Sequence, residues 1–511
     1  MPTSVILDGA SLMVEGVIAV ARGFASVSIQ PAAMERLVPA RRVVEDAVRS
    51  DDAVYGINTG FGKLASVKIA PDQLLELQRN LVVSHASGVG DPLPLDIVRA
   101  LMLLRLNGLL NPCSGVRPTV PERLAEMLNR RIHPVIPEHG SVGASGDLAP
   151  LAHVAWALMG EGPVDVVATD ASPSVSARDI RREQAGDALR AAGIEPVVYE
   201  AKEGLALING TQAQTAVLSL AVHDARNLWR WGHGAAAMTL EALKGTPEAF
   251  DERIHQARPH PGQLKSAAIM RELLAGSAIR ESHRHGDVRV QDAYSIRCVP
   301  QIMGAVGDTI EHAAAVVAVE LNAATDNPLV FDNDLVSGGN FHGQPVAMAS
   351  DFLAIALTSL AGMAERRIER LVNPDLSPGL PPFLATNPGL ESGFMMVQIT
   401  AAAIAGECRV LSTPASVQSI PTDANQEDVV PMGMTAALKA RRVHENAQRI
   451  IACELLCGAQ GLEHHRPLES SPAVEKLYER VRAIVSPLTG DRSLTADIEN
   501  LTQLVREEVL A

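Results

Sequence analysis

The most informative stretch of this sequence runs Gly140-Ser141-Val142-Gly143-Ala144-Ser145-Gly146-Asp147-Leu148-Ala149-Pro150-Leu151-Ala152-His153. Its centre, Ala144-Ser145-Gly146, is a tripeptide whose backbone can close on itself. The amide nitrogen of Gly146 can attack the carbonyl carbon of Ala144 with loss of water, because glycine has no Cβ to obstruct the approach. Ser145 can then lose its hydroxyl as a second water and become an exocyclic methylene. The product is an electron-poor alkene, an electrophile that ordinary side chains do not provide.

The same stretch has two other interpretations. A turn rich in glycine and serine is typical of a helix N-terminus, with Ser145 or Asp147 as the N-cap of a helix from Leu148 onward. A serine hydrolase elbow is a weaker alternative, because its G-x-S-x-G pattern needs a residue between the serine and the second glycine, and Gly146 follows Ser145 directly. Taken alone, the tripeptide favours the capped turn.

The longer run resembles the signature of the aromatic amino acid ammonia-lyases, the histidine and phenylalanine/tyrosine lyases, which build a methylidene-imidazolone (MIO) group from Ala-Ser-Gly. Further matching motifs extend the resemblance over most of the chain. It implies a mainly α fold, with a bundle of long central helices and a smaller mixed N-terminal region that carries the MIO loop. It also implies a homotetramer with shared active sites. No external cofactor is implied, since the group forms from Ala144, Ser145 and Gly146.

The composition narrows the class of protein. The chain has 511 residues, of which 47% are hydrophobic and only 3% aromatic, so a large core must be built from aliphatic side chains and methionine. The net charge of −15 argues against a nucleic-acid surface, which would need a basic face. The charge identifies no partner, and it is the resemblance that implies a small-molecule amino-acid substrate.

The cysteines and the N-terminus indicate where the protein resides. Five scattered cysteines are typical of a reduced, cytoplasmic chain. Cys453 and Cys457 lie one helical turn apart, but without further ligands nearby they are expected to be buried small side chains, and no metal is predicted. The first residues do not form a secretory signal. No apolar run is expected to reach the roughly 18 residues of a membrane span.

The pattern along the chain predicts one internal boundary. Residues 161–200 are rich in Gly, Pro, Asp and Ser and predict a loop or hairpin, and long helical patterns follow from about residue 203. The predicted domains are an N-terminal region, 1–203, with the MIO-forming loop, and a long-helix bundle with a helical C-terminal region, 204–511. Residues 4–30 predict strands or loops. Helices are predicted at 32–49, 72–84, 95–110, 121–130, 148–159, 303–323, 347–372, 393–412, 433–460 and 471–486.

Two candidate site residues precede the central stretch. Tyr55 lies in Val54-Tyr55-Gly56-Ile57-Asn58-Thr59-Gly60-Phe61-Gly62, a segment too rich in glycine for a helix. The resemblance implies that Tyr55 is the catalytic base, and a tyrosine with its usual pKa of ~10 would then need a positive field to lower that pKa. His85 ends a predicted helix as Ser84-His85. The resemblance associates this pair with L-histidine, where His-Leu and Phe-Leu would indicate tyrosine and phenylalanine.

Other candidates follow later in the chain, each also consistent with an ordinary structural role. The resemblance implies substrate contacts for Asn209, expected on an apolar helix, and for Gln291, Tyr294, Arg297 and Phe341. Tyr294 and Arg297 are three residues apart and would share a helical face, and arginine suits a carboxylate because it binds in a bidentate manner. His283 and His285 could suggest a metal, but no carboxylate motif accompanies them. Glu427, in the acidic segment 422–428, is the second acid/base candidate.

The implied activity is the elimination of ammonia from L-histidine to give trans-urocanate. The sequence departs from the histidine lyases at Val429, where Gln-Glu-Asp is commonly followed by His, and at Gln344, where Glu is often found. A phenylalanine/tyrosine ammonia-lyase or an aminomutase with the same group is the alternative enzyme. A non-catalytic helical scaffold is the alternative of a different class, and the intact tripeptide and Tyr55 argue against it.

Overall fold

Long α-helices dominate the computed structural model, which describes residues 2–168, 177–287 and 289–510. Five long helices run over Gln212–Ala242, Val299–Glu320, Gln344–Val372, Met395–Leu411 and Gly433–Glu463. The mainly α fold expected from the sequence is therefore confirmed. The other α-helices are Val14–Ala21, Pro31–Arg49, Leu74–His85, Leu95–Leu109, Thr119–Asn129, Leu148–Leu158, Ala185–Ala192, Glu203–Ile208, Glu252–Gln256, Pro261–Leu273, Ala278–Ser282, Tyr294–Arg297, Pro472–Ile484 and Thr495–Glu507.

The strands are short and belong to small sheets. Ser4–Leu7 pairs in parallel with Ser26–Ile29, and the other pairs are antiparallel. The remaining strands are Val89–Pro92, Ile132–Pro134, Pro137–His139, Pro163–Val167, Ile180–Gln184, Leu329–Phe331 and Asp334–Val336. The predicted hairpin within 161–200 is confirmed by the pairing of Pro163–Val167 with Ile180–Gln184, although part of its connection, residues 169–176, lies outside the described residues.

The chain divides into two compact units, each made of several segments. The first comprises residues 1–220, 314–351 and 414–438, and the second comprises 221–313, 352–413 and 439–511. The chain passes between the units repeatedly, so the units do not correspond to two halves separated by a single boundary after residue 203. The division into domains 1–203 and 204–511 stays a prediction.

The first unit contains the strands and a deeply buried helix, Leu95–Leu109. Every residue of this helix from Ile97 onward is buried. Two of them are arginines that donate to backbone carbonyls: Arg99 donates to the Val20 carbonyl at 2.9 Å, and Arg105 donates to the Asn209 carbonyl at 2.8 Å. This helix thus connects the core to the segment that carries Asn209.

The second unit contains the central parts of several long helices. Arg367 and Glu454 form a fully buried ion pair whose closest N–O distance is 2.5 Å. Thr239 adds a hydrogen bond to Glu454 at 2.8 Å, so helices Gln212–Ala242, Gln344–Val372 and Gly433–Glu463 meet at this carboxylate. Cys453 and Cys457 are buried nearby, as expected.

Most element predictions are confirmed within a few residues. Residues 161–200, predicted as a loop or hairpin, also contain helix Ala185–Ala192, and two further predictions are wrong. Residues 14–21 form a helix, where strands or loops were expected for 4–30. The second error concerns Asn209, which was expected on an apolar helix. Glu203–Ile208 ends before it, Asn209 has extended backbone angles, and a new helix starts at Gln212.

By length and composition, two helices in the described part of the chain are apolar enough to cross a membrane, Val299–Glu320 and Gln344–Val372. The expectation that no stretch reaches this threshold is therefore wrong. The core helices of globular proteins pass the same test, and 67% of the apolar window of Gln344–Val372 is buried.

Candidate active site

The loop at residues 140–147 is a compact turn that accepts only glycine at two positions. Gly143 and Gly146 have φ values of +79° and +68°, and they face each other as an isolated antiparallel bridge. A Cβ on Gly146 would lie 2.1 Å from the carbonyl oxygen of Gly210. Positive φ and the lack of space therefore both require glycine at position 146.

Backbone hydrogen bonds connect this loop to three other segments of the first unit. Val142 accepts from the amide of Met432 at 2.8 Å, and Gly143 accepts from the amide of Gly343 at 3.0 Å. The amide of Asp147 donates to the Gly210 carbonyl at 2.7 Å. Because these segments also carry Glu427, Phe341 and Asn209, respectively, residues far apart in sequence meet around the loop.

Asp147 occupies the N-cap position of helix Leu148–Leu158 but makes no side-chain capping bond. Its fully buried carboxylate instead accepts from the Ser141 hydroxyl at 2.8 Å and from the Gln214 amide at 2.9 Å. Burial raises the pKa of Asp147 to about 6 despite these hydrogen bonds. The interpretation of Asp147 as a side-chain N-cap is thus wrong. Its carboxylate instead holds the loop in place through its hydrogen bonds with Ser141 and Gln214.

The hydroxyl of Ser145 faces a carboxylate. It donates to Oε1 of Glu427 at 2.6 Å, and Oε2 of Glu427 accepts from the Thr422 hydroxyl at 2.5 Å. The tripeptide and the second acid/base candidate are therefore in direct contact.

Ser145 lies between two cavities that the first unit encloses. One, of 490 Å³, is the more polar of the two and includes Ala144, Phe341 and His342 in its wall. The other, of 690 Å³, has a mostly aliphatic wall and ends at Ser84 and His85. Both cavities are bordered by Tyr55, Gly62, Ser145, Asn209, Asp423 and Glu427.

Tyr55 reaches both cavities, but its electrostatic surroundings are opposite to those expected. Its hydroxyl oxygen accepts from the Gly62 amide at 3.4 Å, and its ring packs edge-on against Phe61. Burial raises the pKa of Tyr55 above 10.0, and the carboxylates of Asp423, Glu427 and Asp326 raise it further. The positive field that a base role would require is not provided by these neighbours.

His85 is held in one ring orientation at the end of helix Leu74–His85. Its Nδ1 lies 2.7 Å from the Leu81 carbonyl oxygen, which can only accept, so Nδ1 carries the proton in the neutral ring. Nε2 is then an acceptor. The Ser84 hydroxyl bonds the same carbonyl at 3.1 Å, which places the Ser84-His85 pair at the edge of the aliphatic cavity.

Asn209 and Phe341 both border the polar cavity, as expected for substrate contacts. The amide nitrogen of Asn209 donates to the Asn327 carbonyl at 3.4 Å. Its Oδ1 is buried and has no hydrogen-bond partner among the described residues. An unpaired buried acceptor costs free energy, so this oxygen is suited to accept from a bound molecule.

Gln291, Tyr294 and Arg297 belong to the second unit, whereas the cavities are bordered by residues of the first. Tyr294 and Arg297 share a short helix, and the guanidinium carbon lies 4.5 Å from the ring centroid, which confirms the expected common face. Tyr294 is exposed. Nε of Arg297 is buried and has no hydrogen-bond partner within the described chain.

The structure adds Asp423 and His342 to the cavity wall, and the sequence analysis did not single out either residue. Asp423 begins three consecutive residues with positive φ, ending at Asn425, which turn the acidic loop sharply. Its carboxylate accepts from the Lys63 amide at 3.0 Å. His342 lies 3.1 Å from the Val429 carbonyl oxygen. The only signal for His342 was its place beside Phe341 in a glycine-rich loop.

Known proteins resemble this chain in sequence over almost its whole length. The sequence profile of the aromatic amino acid lyase family matches residues 12–483. A histidine ammonia-lyase from Koribacter versatilis is 53% identical, with 92% of each chain covered. One from Anaeromyxobacter dehalogenans is 52% identical, with 99% of each chain covered.

Solved structures extend the resemblance to the fold. The histidine ammonia-lyase from Trypanosoma cruzi superposes with a TM-score of 0.88 at 42% identity, covering 98% of this chain and 93% of the other. The tyrosine aminomutase from Streptomyces globisporus gives 0.91 at 40% identity, covering 98% and 97%. The fold and the site define a carbon–nitrogen lyase. This chain belongs to the aromatic amino acid lyase family.

Proposed function

We propose that this protein eliminates ammonia from L-histidine to give trans-urocanate, using an MIO group formed from its own Ala144, Ser145 and Gly146. The observation that carries the proposal is the placement of Ser145 between the two cavities, in a turn that excludes any side chain at position 146. The histidine ammonia-lyases that are about half identical over nearly the full length support the same substrate.

The residues present fit the MIO group. The tight approach of Gly210 to Gly146 and the small side chain of Ala144 leave the backbone compact where the ring would close. When formed, the group supplies an electron-poor alkene. Helix Leu148–Leu158 begins just after it, and the partial positive charge of a helix N-terminus stabilises negative charge that develops there.

We assign removal of the β-proton of the substrate to Tyr55, with Glu427 as the alternative base. Tyr55 borders both cavities and its hydroxyl already accepts a hydrogen bond. Because its pKa is raised in this chain alone, a cation must approach for it to act near neutral pH. Arg297 from a second copy of the chain is the candidate cation.

Substrate recognition is assigned to residues at the two ends of the site. Nε2 of His85 can accept from the imidazole N–H of L-histidine, whereas an apolar residue would leave that nitrogen unpaired. Oδ1 of Asn209 accepts from the amino group, and Phe341 packs against the substrate. Gln291, Tyr294 and the guanidinium of Arg297 hold the carboxylate.

A shared site requires an oligomer, and the second unit exposes apolar faces suited to one. Phe352 and Ile355 lie one helical turn apart and are exposed, as are Met396 and Ile399 on the next long helix. Exposed apolar stripes of this kind mark protein–protein interfaces. We propose a homotetramer in which a second chain supplies Gln291, Tyr294 and Arg297.

Two measurements on the full chain test the proposed function. Intact mass should fall below the sequence mass by two waters, and an ultraviolet assay should show turnover with L-histidine in preference to L-tyrosine and L-phenylalanine. Product analysis separates urocanate from the β-amino acid that an aminomutase would form. An unmodified mass in active enzyme, or a preference for tyrosine, would overturn the proposal.

A substitution of His85 tests its assigned role in substrate recognition. Replacing His85 with leucine should raise KM for L-histidine roughly tenfold, because an unpaired buried nitrogen costs about 1–3 kcal/mol. His260→Leu, at an exposed residue of the second unit, is the control and should leave KM unchanged.

A further inference from the structure

Before the ring closes, the tripeptide is an open peptide in which Ser145 carries its hydroxyl. That hydroxyl has a single side-chain contact in the described chain, the 2.6 Å hydrogen bond to Oε1 of Glu427. It is also the group that must leave as water if the alkene is to form. The residue that holds the leaving oxygen is therefore Glu427.

The contact is built by a rigid segment. Thr422 and Glu427 exchange backbone hydrogen bonds of 2.9 and 3.3 Å, and the Thr422 hydroxyl holds Oε2 at 2.5 Å. The residues between them include three consecutive positive φ values, from Asp423 to Asn425. Such backbone is strained and is kept where the surroundings determine it. This turn directs the Glu427 carboxyl group towards Ser145.

We propose that Glu427 is the general acid that expels the Ser145 hydroxyl during formation of the MIO group, a role that precedes any part it has in turnover. This proposal rests on the proposed function and concerns the same site. In its acid form, Glu427 donates the Oε1 proton to Oγ of Ser145 across the same 2.6 Å contact, and the Ser145 hydroxyl then accepts where it otherwise donates. The Cβ–Oγ bond breaks, and the oxygen leaves as water.

The remaining electrons and protons balance within the same step. The Cα–H bond of Ser145 supplies the electron pair for the new Cα–Cβ double bond. Its proton passes to a solvent water and is returned from solvent to the Glu427 carboxylate. The net change is the loss of one water from Ser145, with Glu427 restored.

The geometry also implies that Glu427 acts first in formation of the MIO group and only afterwards on the substrate. While the Ser145 oxygen is present, Oε1 of Glu427 is occupied by it. Once that oxygen has left, Oε1 loses this partner and faces both cavities. Glu427 thus becomes available to a substrate only after the alkene exists.

The test is the intact mass of Glu427→Gln followed over time after purification. The glutamine amide keeps the contact with Ser145 but cannot deliver a proton. General acid catalysis contributes about 10²–10⁴-fold, so dehydration should slow by that factor and the chain should lack at most the one water of ring closure. Loss of both waters at the wild-type rate would overturn the proposal.

Controls separate this outcome from misfolding and from failure of the proposed function. Glu320→Gln is matched, since Glu320 is also partly buried in the first unit and accepts from a threonine hydroxyl, Thr211, at 2.6 Å. Glu320→Gln should lose both waters at the wild-type rate. If its dehydration slows as much as that of Glu427→Gln, the proposal is overturned. Thr422→Val keeps Glu427 but releases Oε2, and should mature at an intermediate rate. If the wild-type chain itself loses no water, the proposed function fails instead.

Discussion

Gly146 and Gly193 both have a positive φ, but only Gly146 lies against another backbone. Gly193 ends helix Ala185–Ala192 with φ +72° and has open space where a Cβ would stand. Gly193→Ala should therefore cost only about 1 kcal/mol and retain the mass deficit of two waters. Gly146→Ala meets the Gly210 carbonyl at 2.1 Å, so the turn must open and the deficit should disappear. Intact mass and thermal unfolding of both variants check this, and a matured Gly146→Ala would contradict it.

Tyr55, the proposed base, must lose its phenolic proton before it can act. Its pKa is raised above 10.0 by burial and by nearby carboxylates, so the phenolate fraction, and with it kcat/KM, should rise as pH increases. Tyr55→Phe keeps the edge contact with Phe61 and should lower kcat about 10²–10⁴-fold and abolish the pH slope.

The control for this variant is Tyr199→Phe. Tyr199 is buried in the same unit, donates to the Ala155 carbonyl at 2.6 Å, and borders neither cavity. Its loss should reduce stability by about 1 kcal/mol and leave kcat unchanged. An unchanged pH slope in Tyr55→Phe would exclude Tyr55 as the base.

At the scale of single residues, the sequence indicated some of the side chains that border the cavities but not their electrostatics. Glu427 meets Ser145 because its segment shares a backbone hydrogen bond with the loop, and the Tyr55 segment joins them through the hydrogen bond from the Lys63 amide to the Asp423 carboxylate. The pKa of Tyr55 is raised first by burial and then by the carboxylates of Asp423, Glu427 and Asp326, all set by residues distant in sequence. The Ser145–Glu427 contact likewise spans 282 positions, and no local pattern encodes it.

At the scale of elements, periodic apolar patterns predicted the helices well, and errors arose where a helix is short or interrupted. Helix Val14–Ala21 has eight residues, too few for a clear period, and lies between two strands. The break at Asn209 follows from Gly210, whose φ of +147° and close contacts end the helix there. Both features depend on packing partners rather than on local propensity.

The end of helix Gln212–Ala242 carries a buried acid that should make stability depend on pH. Oε2 of Glu241 accepts from the Ser277 hydroxyl at 2.6 Å, whereas Oε1 has no hydrogen-bond partner among the described residues. Burial raises the pKa of Glu241 to about 7 from 4.5. Between these values the folded chain keeps a proton that the unfolded chain has released, so stability falls as pH rises through this window.

Glu241→Gln mimics the protonated acid and should remove this loss. The variant should be more stable than the wild type at pH 8, by up to roughly 3 kcal/mol, and similar to it near the lower end of the window. Thermal unfolding at both pH values measures the effect, with Glu479→Gln, at an exposed residue, as control. An equal midpoint at pH 8 would show that Glu241 is ionised without cost.

At the scale of the whole molecule, the division of the site residues between units is the feature that the sequence could not indicate. Tyr55, His85, Asn209 and Glu427 belong to the first unit. Arg297 belongs to the second, where its Nε has no partner in the described chain. In the homotetramer expected from the family resemblance, the first unit of one copy and the second unit of another can together complete one site, because the copies are related by symmetry.

Co-expression of two inactive variants tests whether sites are shared between chains. Tyr55→Phe and Arg297→Leu should each be nearly inactive alone. In mixed oligomers, a site that takes Tyr55 from one chain and Arg297 from another regains both residues in about a quarter of cases, so activity should recover to a similar fraction. Tyr55→Phe co-expressed with Glu427→Gln is the matched control, since both residues border the same cavities and no mixture restores them together. Recovery in the first pair alone requires that each site draw on two chains, and equal inactivity of both pairs would place Tyr55 and Arg297 in sites of a single chain.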